Sequence, residues 1–352
     1  MAGFAAGDRA IAVASRAMAQ PAPKRVALDT GAGAASPPPA VRGRLAGLRA
    51  FGRRHRVLIA VAGSLATAAA LALVLSGRRE EFATALRDVT LGILVATVLL
   101  QIVALLARSE AWHLTIGAAG GTVDRRVLYR ASSMQVIGGM LNGHLGVAAR
   151  IAALRRSSPV VSPQVPTLIA AEFPILAVEA ALAALASFTL IGPLGLPWWL
   201  PLIAIAVIAA VSGGLRHLAA RTGRQLWRGL AVLRSLRGGG IVVGFILVAV
   251  FAQIFRNWIL LHEVGIAASL LDAIAVLIAV VTLGQLPVGP TVGAAAAVLI
   301  LGREGVAASA AAGVLLTVTG TIGGLCFAAW AGADRLWHGS RRAKRRRAAR
   351  SP

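Results

Sequence analysis

Residues 241–261 read IVVGFILVAVFAQIFRNWILL, an apolar run of 21 residues whose only charged side chain is Arg256. About 20 mostly apolar residues are what an α-helix needs to cross the hydrocarbon core of a bilayer. The run also lacks the polar stripe that marks a helix on the surface of a soluble protein. This stretch therefore predicts a membrane-spanning helix.

The rest of the chain shares this character. Of its 352 residues, 57% are hydrophobic and 14% are charged, and the mean hydropathy is +0.77, whereas an average soluble domain is about 25% charged. We therefore expect an all-α, polytopic transmembrane helical bundle. The other apolar segments lie at about 57–76, 88–107, 131–149, 165–190, 198–214, 268–286, 288–302 and 306–331.

The positive charges predict how the bundle is oriented. The net charge of +23 is concentrated before residue 57 and in 108–130, 215–237 and 335–350. Cytoplasmic segments of membrane proteins carry the excess of Lys and Arg, so we expect both termini to be cytoplasmic. Termini on the same side require an even number of crossings. Nine apolar segments therefore predict about eight crossings plus one re-entrant segment.

The same features divide the chain into three parts. Residues 1–55 are rich in Ala, Pro, Gly and Arg, a composition that predicts a disordered basic cytoplasmic tail. A transmembrane domain is expected over 56–332, and a second basic cytoplasmic tail over 333–352. The heavy use of Ala, Gly and Arg favours a bacterial protein of the plasma membrane.

Several classes of function are not expected. The charge lies in loops and tails without interleaved aromatic residues, which argues against nucleic acid as a partner. One cysteine, Cys326, allows no intrachain disulfide or zinc-finger site, and we expect it to be a small buried residue. No nucleophile elbow, zinc-binding helix or phosphate-binding glycine loop is present. We therefore expect neither an enzyme nor a cofactor or metal.

The segment 131–149, ASSMQVIGGMLNGHLGVAA, is the expected re-entrant segment. It combines several glycines with Gln135, Asn142 and His144, which a lipid-facing helix would not carry. Non-helical backbone at membrane depth occurs only where protein or a water-filled cavity satisfies its polar groups. We therefore expect this segment to line a cavity.

A second interrupted stretch, GQLPVGPTVG, occupies residues 284–293. Pro287 and Pro290 interrupt regular helical hydrogen bonding there. Broken segments at corresponding places in two halves of a membrane protein are typical of a transporter binding site. The alternative is a kinked structural hairpin that packs through small residues.

Ionisable side chains inside the apolar segments are candidates for function, because an unpaired charge in a membrane costs several kcal/mol. Glu172 and Glu179 are seven residues apart, two turns along one helix face. Either could pair with a cationic headgroup, a proton or Arg150 along a polar path, or form a structural ion pair. Arg256 is expected to extend its guanidinium to the membrane interface.

The stretches LNGHLGVAAR at 141–150 and LPVGPTVGAAA at 286–296 resemble two signatures of the lysylphosphatidylglycerol synthase transmembrane region, a flippase-like membrane family. The resemblance covers roughly 57–331 and implies a flippase-like transmembrane domain. The matching positions are Gly146, Arg150, Pro287, Gly293, Glu172 and the Glu110-Ala-Trp112 stretch.

The chain departs from that family where the signatures carry charged residues. Val147 and Ala296 stand at expected acidic positions, and Phe173 and Leu176 stand where an Arg and an Asp usually follow Glu172. The chain also ends at residue 352, so we expect no synthase activity.

The resemblance implies a protein that binds or moves a lipid or lipid-linked headgroup. The expected partners are membrane lipids, in particular anionic phospholipid headgroups, which basic side chains at the cytoplasmic rim would attract. The alternatives are a non-transporting scaffold or regulator of envelope biosynthesis, and a small-solute exporter. The candidate substrate-binding residues are Arg150, Glu172, His144, Asn142, Arg155, Arg156, Gly146, Pro287, Gly293 and Glu179.

Overall fold

The computed structural model describes residues 56–139, 143–157, 163–222, 236–284 and 291–348, and every regular element in these ranges is helical. The predicted tail over 1–55 lies outside them. A 3-10 turn spans Ser187–Leu190. The helices are α1 Arg56–Leu75, α2 Arg79–Arg87, α3 Leu91–Ala118, α4 Arg125–Gly139, α5 Gly143–Ser157, α6 Val165–Ala186, α7 Ile191–Leu194, α8 Leu200–Thr222, α9 Leu236–Glu263, α10 Leu270–Leu283, α11 Val292–Leu301 and α12 Val306–Ala348.

Within the described part of the chain, four helical stretches are long and apolar enough to cross a membrane. They are Leu91–Ala118, Val165–Leu194, Gly238–Glu263 and Val306–Arg335. Shorter apolar stretches occur in α1, α8, α10 and α11. The all-α fold is confirmed for the described residues, and the apolar helices indicate a membrane protein. Eight crossings and cytoplasmic termini stay predictions.

Two groups of buried apolar side chains hold the helices together. One joins α9 and α10 to α11 and α12 through residues such as Leu261, Val276 and Ile300. The other joins α3, α4, α6 and α9 and includes Leu128 and Ile246. Many large apolar side chains point outwards instead, an arrangement that suits lipid rather than water as the surrounding solvent.

The predicted re-entrant segment 131–149 spans parts of two short helices, α4 and α5, which form an antiparallel hairpin. They approach closely at Gly146, where an added Cβ would lie 2.7 Å from the Gln135 carbonyl oxygen. Each helix has 15 residues and is therefore about 22 Å long. Neither one alone reaches across a hydrocarbon core of about 30 Å.

A second hairpin, formed by α10 and α11, brackets the other interrupted stretch. An added Cβ at Gly293 would lie 2.5 Å from both the Gly313 carbonyl oxygen and the Thr317 hydroxyl of α12. Small residues thus allow α11 and α12 to pack backbone against backbone, as is common between membrane helices. The described residues on either side of each interrupted stretch thus belong to pairs of short helices.

Three details differ from the sequence predictions. The charged stretch 108–130 is not one loop, because α3 continues to Ala118 and ends before Gly120, whose φ is +86°. Helix α12 continues past 332 to Ala348, since the Ala, Arg and Lys of the basic tail are strong helix formers. Cys326 is exposed on the outer face of α12 rather than buried.

Candidate functional site

Arg150 lies in a buried polar cluster between α3, α5 and α6. Its side chain is 2% exposed and forms an ion pair with Glu172 of α6. The guanidinium carbon also lies 3.8 Å from the ring centroid of Trp112, a cation–π contact. Arg150 is one of the possible partners predicted for Glu172. However, the arginine lies inside the bundle rather than exposed at a cytoplasmic rim.

A second ion pair extends this cluster. Arg108 of α3 donates to Glu179 of α6 at 2.8 Å. Arg108 precedes Trp112 on α3 by about one helical turn, and Glu179 follows Glu172 on α6 by about two. Helix α6 therefore carries both carboxylates, while the two arginines come from α3 and α5. Arg108 was not among the predicted site residues, because its charge suggested a loop. Both carboxylates expected to face a substrate are therefore occupied by arginines of this chain.

The remaining predicted residues are spread more widely. Arg155 and Arg156 are exposed in the last turn of α5. His144 belongs to the first turn of α5. Gly146 and Gly293 are the close-packing glycines of the two hairpins. Asn142 and Pro287 lie outside the described residues.

Arg256 occupies a different environment on α9. Its side chain is 8% exposed, and its Nη1 donates to the side-chain oxygen of Gln101 on α3. Gln253 precedes Arg256 by one turn and donates to the same oxygen at 2.8 Å. The guanidinium is thus held inside the bundle by the Gln101 amide, and its position relative to the membrane interface stays a prediction.

This buried guanidinium has no carboxylate beside it among the described residues. The ion pairs there join other arginines and a histidine to Glu110, Glu172, Glu179 and Asp334. The Nε atom of Arg256 is buried and has no hydrogen-bond partner in the described structure. Buried charges in proteins are normally paired with an opposite charge. Arg256 is therefore a cation that the described part of the fold leaves electrostatically uncompensated.

The Arg256 cleft is an open depression of about 310 Å³ beside this guanidinium. It lies beside the C-terminal end of α4 and is framed by the helices α3, α9 and α12. Its lining combines amide and hydroxyl groups with a few apolar side chains. The lining residues are Gln101, Val136, Gly139, Gln253, Arg256, Leu316, Thr317, Gly320 and Thr321.

Two glycines of α12 make room for the polar groups of this cleft. An added Cβ at Gly320 would lie 3.1 Å from Nη1 of Arg256, and one at Gly323 would lie 2.8 Å from Cγ of Gln101. They are three residues apart, so they share one face of α12. The absence of side chains there lets both polar residues approach the helix.

Of the two broken segments predicted from the sequence, only 131–149 contributes described residues to the lining of the cleft. The first segment contributes Val136 and Gly139 directly. The second lies beyond Thr317, whose hydroxyl is next to Gly293. Gln101 and Arg256 were missed as a pair. The signal in the sequence was weak, because Gln101 is a single amide in an apolar stretch, and Arg256, which is close to Gln253 and Asn257, lies 155 residues further along the chain.

A separate polar cluster ties α4 to α3 and α12. The Tyr129 hydroxyl donates to Glu110 of α3, and Arg130 donates to Asp334 of α12 at 2.9 Å. Burial, followed by the hydrogen bond to Glu110, raises the pKa of Tyr129 from 10.0 to about 12. Tyr129 lies outside the four stretches that are long and apolar enough to cross a membrane. The cluster fixes the first hairpin to the long last helix.

A larger cleft of about 550 Å³ lies beside α2, with Glu80, Glu81 and Asp88 in its lining. The described residues contain no group of acidic, histidine or cysteine side chains arranged to hold a metal ion. Acidic residues without such an arrangement do not define a ligand.

In comparisons with known proteins, no protein family model, curated protein sequence or solved structure matches the chain. The resemblance to the flippase-like family therefore stays a prediction from the two short signatures. Among the described residues, the Arg256 cleft is the place where a buried charge, hydrogen-bonding groups and open volume meet.

Proposed function

We propose that this protein is a flippase-like protein of the bacterial plasma membrane that binds a lipid or lipid-linked headgroup and moves it between leaflets. The observation that carries the proposal is the Arg256 cleft. There the buried Arg256 guanidinium, which has no carboxylate partner among the described residues, borders open volume beside the C-terminal end of α4. In the proposed topology, about eight segments cross the membrane, the first hairpin is re-entrant and both termini are cytoplasmic.

The position of the cleft along its helices supports this function. Gln101 is ten residues from the start of α3, a distance of about 15 Å along the helix axis. Gly320 lies near the middle of the apolar stretch Val306–Arg335. In a hydrocarbon core of about 30 Å, both residues would be near the midplane, where many transporters bind their substrates.

The first hairpin supports the same proposal. Its arms are too short to cross the membrane singly, and its first arm ends with Gly139 at the cleft. A re-entrant hairpin would bring polar backbone to membrane depth where a cavity can satisfy it. At its other end, the exposed Arg155 and Arg156 would attract anionic headgroups from the cytoplasmic leaflet.

A lipid-scrambling assay in proteoliposomes tests the proposal. Purified protein is reconstituted with a trace of fluorescent phospholipid, and an impermeant quencher reports how much label reaches the outer leaflet. Wild type should accelerate exchange over protein-free vesicles, and Arg256→Gln should lose that acceleration. Arg303→Gln is the matched control, because Arg303 is exposed between α11 and α12 and away from the cleft.

Two results would count against transport. If wild type and protein-free vesicles exchange label at equal rates, the protein is not a lipid flippase and the scaffold or solute-exporter alternative gains. If Arg256→Gln and Arg303→Gln reduce exchange equally, the cleft is not the route.

A further inference from the structure

We propose that the Arg256 cleft is a receptor for one anionic phosphate group, and that the side-chain oxygen of Gln101 occupies the position that a phosphate oxygen takes when the ligand binds. This inference rests on the proposed function for the source of the phosphate, a lipid headgroup. It goes further by assigning the phosphate to Arg256 and by naming Gln101 as the residue that competes with it.

The first step concerns charge. An Arg side chain stays protonated in proteins, and Arg256 is buried without a carboxylate partner in the described structure. One negative charge would compensate it. A ligand with an additional ammonium group would bring a second cation into the same cleft. The site is therefore suited to an anionic headgroup and unsuited to a zwitterionic one.

The second step concerns geometry. The Gln101 oxygen accepts hydrogen bonds from both Gln253 and Arg256. Two donors on adjacent turns of α9 thus converge on one acceptor position. Hydrogen bonds from guanidinium to an anionic oxygen are roughly twice as strong as those between neutral groups. A phosphate oxygen at this position would therefore displace the amide, which can rotate away on its flexible side chain.

The third step concerns the rest of the lining. Thr321 adds a hydroxyl group, the Thr317 hydroxyl already donates to the Gly313 carbonyl at 3.0 Å, and Val136 and Leu316 are apolar. The volume of about 310 Å³ corresponds to roughly ten water molecules at about 30 Å³ each. This is room for a phosphate with its immediate substituents. Phosphodiester oxygens can use donors from several directions, and the apolar walls suit the glycerol end of a lipid.

Gln101→Glu is the decisive variant, because it places a permanent carboxylate next to Arg256. The internal ion pair should compensate the guanidinium and exclude an external anion. The folded protein should become at least as stable as wild type. A variant that melts no lower than wild type and yet binds no anionic lipid cannot be explained by misfolding.

The experiment measures lipid binding to the full-length chain in detergent, with short-chain phosphatidylglycerol, short-chain phosphatidylcholine and inorganic phosphate as separate probes. Wild type should bind phosphatidylglycerol about tenfold or more tightly than phosphatidylcholine. Gln101→Glu and Arg256→Gln should each remove this preference. Arg303→Gln should keep it. Inorganic phosphate that competes with phosphatidylglycerol would identify the phosphate group itself as the ligand, and the lipid as one source of it.

Equal binding of both lipids to wild type, or an unchanged preference in Gln101→Glu, would overturn the anion receptor. These outcomes are separable from those of the scrambling assay. Selective binding without lipid exchange would retain the receptor and reject transport. Exchange of both lipids at equal rates without selective binding would retain transport and reject the receptor.

Discussion

Arg150 and Arg256 are two buried arginines with opposite surroundings. Arg150 is paired with Glu172 and stacked on Trp112, whereas Arg256 contacts the neutral amide of Gln101. Both lie among apolar helices, where an uncompensated charge is unfavourable. The first arginine has its counter-charge within the fold. The second has a weak substitute, which an external anion can replace.

This contrast separates Arg150, an arginine with a structural role, from Arg256, an arginine available to a ligand. Sequence position alone favoured Arg150 as the site, since it matches a signature of the flippase-like family. The described contacts assign it to holding α5 against α3 and α6 instead. The proposed site moves to the arginine whose partners leave room for a ligand.

The largest expected effect comes from breaking the Arg150 pair. Glu172→Gln should lower the free energy of unfolding by about 3–5 kcal/mol, because it leaves a buried guanidinium without its counter-charge. Chemical unfolding in detergent, followed by circular dichroism, measures this loss. The double variant Arg150→Met/Glu172→Leu should recover most of it. If Glu172→Gln unfolds like wild type, the pair is not a structural element.

The next largest effects on stability are expected from replacing Gly146 and Gly320 by alanine, and the two losses should differ in size. Gly146→Ala should cost about 1–3 kcal/mol, because its Cβ would press on the Gln135 backbone carbonyl at 2.7 Å. Gly320→Ala should cost less, since its nearest neighbour is the movable end of Arg256 at 3.1 Å. Gly244→Ala, with no atom within 4 Å, is the matched control in a helix.

Thermal unfolding of these variants gives the order directly. The expected ranking of melting temperatures is Gly244→Ala highest, then Gly320→Ala, then Gly146→Ala. A Gly320→Ala variant that is less stable than Gly146→Ala would show that Arg256 is held rigidly, which contradicts a receptive site.

A smaller gain is expected from giving Arg256 a counter-charge. Gln101→Glu should raise the free energy of unfolding by about 1 kcal/mol, the net contribution of a typical hydrogen bond, with charge assistance partly offset by burial. Gln101→Leu has similar size without the acceptor and should instead destabilise the protein. Parallel denaturant titrations measure both changes. A destabilised Gln101→Glu would indicate that a carboxylate elsewhere already compensates Arg256.

Tyr129 provides an intermediate case, a neutral group bonded to a carboxylate. Its pKa is raised from 10.0 to about 12 in the folded protein, so the stability that it contributes is present below pH 10 and is lost as the pH rises through 12. The chain has a single tyrosine, and tyrosinate absorbance therefore reports this residue alone. Glu110→Gln should move the midpoint down, and an unchanged midpoint would contradict the hydrogen bond.

Sequence predicted the fold class well, because apolar runs and helix-breaking residues act locally. The glycines of 131–149 predicted a re-entrant segment with non-helical backbone, whereas its described residues belong to the helices α4 and α5. Glu172 was given Arg150 among its possible partners. The pairing of Gln101 with Arg256 was not predictable from one sequence, since it joins helices far apart in the chain. The extension of α3 was missed because charged residues suggested a loop. In the fold, Arg108 pairs with Glu179, and Glu110 accepts a hydrogen bond from Tyr129.

Helix α12 continues well beyond its contact with the first hairpin. The helix runs unbroken from Val306 to Ala348, and Asp334 is bound to Arg130 of the first hairpin. Gly320, at the cleft, and Ala348 are each 14 residues from Asp334, or about 21 Å along the axis. A tilt about that contact would displace both points by similar distances in opposite directions. A spectroscopic label in the basic end of α12 would therefore report movements of the cleft wall.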